Sequence, residues 1–106
     1  MALTGKQRRT LRALGHHLRP VVQVGHSGVT AALVAATEQA LHDHELVKVK
    51  VSEHAAGSRS EVAAALAEAT GSEVVQVLGR TVLLYRPRPE DPKIIVGGAK
   101  GLLEKG

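Results

Sequence analysis

Apolar positions recur along this chain in two alternating periods, and the alternation lays out its elements. From Thr4 to Leu18, Gln7, Leu11, Leu14 and Leu18 follow helical spacing. The pattern predicts a helix with its leucines in one buried stripe. Thr4 and Gln7 stand at the spacing of a capping box. Arg8, Arg12 and His16 form a second row, extended by Arg19, and Pro20 prevents continuation.

Val21-Val22-Gln23-Val24 reads as a short buried strand ended by Gly25. Thr30 is a good N-cap for a second helix running to about His44. On it Leu33, Thr37, Ala40 and Leu41 share a face that Val34 and Ala36 broaden. From Glu45 to Ser52 the period changes to two. Val47, Val49 and Val51 alternate with Lys48 and Lys50, which predicts a half-buried strand with its valines toward the helices and its lysines on an uncovered face. Ser58 and Glu61 form a second capping box. It opens a helix to about Thr70 with Val62, Ala65, Leu66 and Ala69 as its apolar residues. Val74–Leu78 and Thr81–Arg86 are β-prone runs joined by Gly79-Arg80, the signature of a tight hairpin.

The element order α-β-α-β-α-β-β predicts an α/β fold, a small sandwich of a mixed four-stranded sheet with three helices. Pro87, Pro89 and Pro92 mark the end of the folded unit. A domain over 1–88 and a C-terminal tail over 89–106 are expected, with an optional extra strand edge at Ile94, Ile95 and Val96.

Charge sharpens this outline. The chain has 106 residues and a formal net charge of +4. Its first 30 residues hold Lys6, Arg8, Arg9, Arg12 and Arg19 and no acidic residue. A one-sided basic end is the usual footprint of a polyanion partner. Those charges also occupy the place where a signal peptide needs its apolar stretch, and no apolar run is long enough to span a bilayer. A cytoplasmic monomer without membrane association is expected.

The Gly25-His26-Ser27-Gly28 turn joins a strand to a helix N-terminus. Its glycines let a phosphate backbone come close, and the helix offers unpaired N–H groups and a positive dipole end. His26, Ser27 and Thr30 can contact phosphate there. Arg8, Arg12 and Arg19 would supply long-range attraction, and Lys48 and Lys50 form a second candidate patch. With one tyrosine and no Phe or Trp, the chain lacks extensive base-stacking platforms. That favours phosphate contacts and a structured RNA over a sequence-read single strand.

Other chemistries have little support. There is no cysteine, which excludes thiolate metal sites, disulfides and cysteine nucleophiles. His16 and His17 diverge on a helix, as do His42 and His44, so no metal or cofactor is expected. No nucleophile motif, phosphate-binding loop of the nucleotide-hydrolase type or dinucleotide fingerprint is present, which argues against an enzyme and leaves no catalytic residue to name.

Several ordered blocks then match a family. They are Leu18 through Thr30, Glu38-Gln39-Ala40-Leu41, His44 through Val51, Val75 through Thr81, and Leu83 through Pro87. Together they resemble the CRM domain, named for chloroplast RNA splicing and ribosome maturation, in its stand-alone bacterial YhbY-like form. The resemblance implies a fold similar to the C-terminal domain of translation initiation factor three. It also implies RNA binding through the Gly-x-x-Gly loop, and association with rRNA of the large-subunit precursor. Family loops often carry a basic residue where this chain has His26 and Ser27, which shifts weight to Arg8, Arg12 and Arg19. A small-subunit or translation-linked RNA binder and a protein-interaction module with incidental charge remain alternatives.

Overall fold

Each helix begins where a side chain satisfies the N–H groups that a first turn leaves unpaired. The computed structural model describes residues 3–92 and residue 94. Thr4 and Gln7 cap each other at the start of α1 (Gly5–Gly15), and Ser58 and Glu61 do so at α3 (Arg59–Thr70). At α2 (Ala31–His44) the Thr30 hydroxyl oxygen accepts from the Leu33 N–H. The strands are β1 (Val22–Val24), β2 (Leu46–Val51), β3 (Glu73–Leu78) and β4 (Thr81–Tyr85).

The strands form one mixed sheet in the order β1-β2-β4-β3. β1 pairs parallel to β2, with Gln23 opposite Lys50, and the other two pairings are antiparallel. The helix and strand order expected from the pattern is therefore the one observed.

One sheet face is closed by α2 and α3. Val22, Val24, Val47, Val49, Val51, Val82 and Leu84 meet Leu41, Val62, Ala63, Leu66 and Ala67 there in one continuous core. On α3 the inward alanines are Ala63 and Ala67, whereas the expected Ala65 and Ala69 face solvent. A run of alanines has no intrinsic face, so the neighbouring sheet chose which pair to bury. Ala36 of α2 is likewise exposed.

The opposite face differs from expectation. It is not uncovered: α1 packs against β2, β4 and β3. Leu11, Leu46, Val75, Leu83 and Tyr85 make a second, smaller core under it. Gly15 marks the closest approach, since a Cβ there would lie 2.5 Å from Leu83 Cδ2. Lys48 is consequently half-buried, and only Lys50 is fully exposed. The α1 helix also ends at Gly15, three residues before Leu18. Leu14 and Leu18, expected in the buried stripe, are 45% and 37% exposed. Beyond His16 the chain leaves the helix through turns in which the Leu18 N–H donates to the Gly15 carbonyl.

Past β4 the chain is tied back to the domain. Glu45, buried at the end of α2 with φ at +65°, accepts the Arg88 N–H at 2.7 Å and the Ile94 N–H at 2.8 Å on its carboxylate. The Arg86 guanidinium donates to Glu38 and to the Thr70 carbonyl, both at 2.7 Å. Ile94 packs against the smaller core without joining a strand. Ile95 and Val96, the rest of the expected extra edge, lie outside the described residues.

Candidate nucleic-acid interface

The loop after β1 owes its shape to two glycines. The Gly28 N–H donates to the Gly25 carbonyl at 3.0 Å, closing a turn with His26 and Ser27 at its exposed tip. Gly28 has φ at +71° and is buried against Ala56, whereas Gly25 has open space where a Cβ would stand. A left-handed φ favours glycine, and an uncrowded glycine leaves backbone accessible to a ligand. The turn is braced from the β2 side, where the Ser52 N–H donates to the Val24 carbonyl at 2.9 Å.

The first turn of α2 holds no acidic residue, and its third position is Leu33 rather than a capping carboxylate. At α3 the Glu61 carboxylate already fills the equivalent place by accepting the Ser58 N–H. The start of α2 therefore keeps its positive dipole end and the N–H groups of its first residues available to an anion.

The basic residues separate by position. Arg8 is half-buried and committed to the fold. Its guanidinium donates to the Val74 carbonyl at 2.5 Å and to the Val75 carbonyl at 3.4 Å, where β3 bulges. β3 is the sheet edge farthest from β1, so Arg8 and the glycine loop lie at opposite edges. The side chains of Arg12 and Arg19 make no hydrogen bond or ion pair among the described residues. Arg19 and Lys50 line the depression beside β1, together with Pro20, Val21, Val22 and Gln23. Arg19 and Lys48 share the adjoining groove beside α1. Arg19, Lys48, Lys50 and the Gly25–Gly28 turn thus fall on the β1 side of the molecule.

Two further basic residues flank the brace of the turn. Arg59 and Arg80 line a cleft of about 420 Å³ with Ser52, Ser58 and Ser60, and Arg80 pairs with Glu53 at 2.6 Å. Arg59 was not singled out in the sequence. The signal lies in Gly57-Ser58-Arg59-Ser60, a basic residue set directly after an N-cap. Arg86, by contrast, is tied to Glu38 and Thr70.

Tyr85, the one Trp, Phe or Tyr residue of the chain, is buried under α1 and offers no stacking surface. Burial pushes its phenol above the ordinary value, and the Glu45 carboxylate adds to the shift. Among the described residues no group of His, Asp or Glu gathers to hold a metal ion, and no helix is long and apolar enough to cross a membrane.

Two folded faces and a glycine turn define a small α/β domain with a basic edge, and comparison with known proteins gives it a family. The CRS1/YhbY (CRM) domain profile matches residues 3–86, so the chain belongs to that family. It is 40% identical over 92 residues to a Bacillus subtilis protein named Probable RNA-binding protein YqeI, covering 87% of this chain and 96% of that one. It is also 40% identical over 88 residues to a protein of Haemophilus influenzae named RNA-binding protein, covering 83% of this chain and 89% of that one. The solution structure of SAV1595 from Staphylococcus aureus, described as a candidate RNA-binding protein, superposes with a TM-score of 0.77. The two are 38% identical over 90% of this chain and 99% of that one. None of these descriptions is that of an enzyme.

Proposed function

We propose that this protein binds structured RNA, and that its target is rRNA of the large ribosomal subunit precursor during assembly. The observation that carries the RNA reading is the grouping of unspent polar and basic groups on the β1 side. The turn at Gly25–Gly28 presents His26 and Ser27 beside a helix start without an acidic residue, and Arg19, Lys48 and Lys50 stand along the neighbouring grooves. None of these side chains is consumed by an ion pair of the fold among the described residues.

Gly25 and Gly28 shape the loop. His26, Ser27 and Thr30 contact phosphate oxygens with the first N–H groups of α2. Arg12, Arg19, Lys48 and Lys50 supply salt-sensitive attraction, while Arg8 contributes through the position of α1 more than by direct contact. The names of the relatives support RNA as the ligand, and the family resemblance supports the large-subunit precursor. Residues 1–88 are the RNA-binding unit in this reading, in the cytoplasm and as a monomer.

Gradient sedimentation of cell extract at low salt tests it. The protein is expected with large-subunit precursor particles and is expected to leave them as salt rises. Migration only at the top of the gradient at low salt removes the ribosomal reading. Co-migration with small-subunit particles replaces the large subunit by the small one.

A further inference from the structure

Among the described residues five large apolar side chains are exposed, and three of them, Leu14, Leu18 and Val21, line one groove. The groove encloses about 380 Å³ between the end of α1 and the start of β2, where Leu46 adds to the apolar lining. Ile94 completes it, held in place by its N–H bond to Glu45. An apolar cluster kept at the surface of so small a domain calls for an occupant. The remaining lining includes Arg19, His44 and Lys48 and, among the described residues, no acidic one.

We propose that this groove receives an unpaired nucleobase of the bound RNA. The proposal rests on the RNA reading above and specifies how the target must differ from a plain duplex. A nucleotide is apolar on the faces of its base and anionic at its phosphate, and the groove pairs those two chemistries side by side. The volume lies near the lower end of the range for small-ligand sites, about 300–1,000 Å³, which suits a single nucleoside. His44 and Arg19 supply flat groups of the kind that stack on splayed-out bases, in a chain with no exposed Phe, Tyr or Trp.

Continuity with the candidate interface gives the groove a direction. Arg19 and Val21 also line the next depression, of about 590 Å³, which continues past Gln23 and Lys50. Its described lining too holds no acidic residue. β1 then delivers the path to the Gly25–Gly28 turn over its three residues, about 10 Å. The RNA backbone follows this track, with one base in the groove at one end and a phosphate at the start of α2 at the other.

Fluorescence anisotropy with three labelled hairpins of identical stem tests this: one fully paired, one with a single bulged adenosine, and one with an abasic residue at the bulge. The full chain is expected to bind the bulged hairpin about tenfold more tightly than the other two, the scale of one stacked base. The double variant Leu14→Ser/Leu18→Ser, at exposed positions, is expected to erase that preference while keeping its affinity for the paired hairpin. Equal affinity of the wild-type chain for all three hairpins overturns the proposal and leaves the lining to a protein partner. A preference that survives the double variant overturns it as well. Failure to bind any of the hairpins removes the RNA reading together with the groove, so the two failures are distinguishable.

Discussion

The two faces of the sheet were built from the same valine- and leucine-rich strands, yet they serve different ends. The α2/α3 face is closed, with Val24, Val49, Leu66 and Leu84 all at 0% exposure. The α1 face is half-closed. Leu11 and Gly15 seat the helix on Leu83, while the β1 side keeps exposed apolar residues next to Arg19, Lys48 and Lys50. Two helices inserted by parallel-strand crossovers cover their face completely, whereas one helix at the chain's start spans only part of the other. The fully buried apolar residues are concentrated on the closed face, and the surface left over on the open one carries exposed apolar and basic side chains.

The largest test of that contrast is a pair of truncations. Leu66→Ala is expected to lower unfolding free energy by about 3 kcal/mol, as for a fully packed leucine. Leu14→Ala on the open face should change it by less than about 0.5 kcal/mol. Urea denaturation of both variants measures the difference, and equal losses would break the division of labour.

Glu45→Gln ranks next. It weakens a buried carboxylate that accepts two backbone N–H groups, and about 2 kcal/mol of stability should go with it. RNA affinity per folded molecule is expected to stay the same apart from any contribution of Ile94 to the groove. Thermal unfolding and anisotropy on one preparation separate the two effects.

The comparison sharpens further along the N-terminal arginines. Arg12→Glu/Arg19→Glu should weaken RNA binding about tenfold or more and flatten the salt dependence by about two phosphate contacts. Arg8→Gln should leave the salt slope nearly unchanged and lower stability instead, because its guanidinium is spent on the β3 bulge. A loss of slope at Arg8 equal to that at Arg19 would return Arg8 to the interface.

Gly28→Ala forces a side chain into a left-handed conformation against Ala56 and is expected to cost about 1 kcal/mol, with a measurable loss of RNA affinity. Smallest at neutral pH is the Tyr85 effect. Its phenol is held above the ordinary value, so the neutral form favours the folded state. That contribution is fully present below about pH 10 and is lost as pH rises through the folded value. Ultraviolet titration of this single tyrosine should show ionisation delayed relative to a denatured sample.

Much of the architecture was legible because it rests on local rules. Thr4 with Gln7, Thr30, and Ser58 with Glu61 announced three helix starts, and each is capped as its spacing required. The Val47-Lys48-Val49-Lys50-Val51 alternation announced β2 and its inward face. Gly79-Arg80 announced the hairpin. The site was legible in part. The loop and the N-cap could be read, but the row of Arg8, Arg12 and Arg19 could not be divided into a structural arginine and unpaired ones. Arg8 is set apart by the β3 carbonyls beneath it, which lie 66 and 67 residues away in the chain.

The sequence by itself determined which segments are helices and strands, where the glycine turn falls, and that basic charge gathers near the N-terminus. Periodicity, capping and turn chemistry act over a few residues, so they are written in order along the chain. Only the tertiary structure decided that α1 lies over the lysine face, that Leu14 and Leu18 stay in solvent, and that Glu45 is a buried anchor for the chain after β4. Those outcomes depend on strand order and on which residues meet across the sheet. A helical stripe specifies that a face can be buried, but the area of sheet available beneath it sets how much of it is.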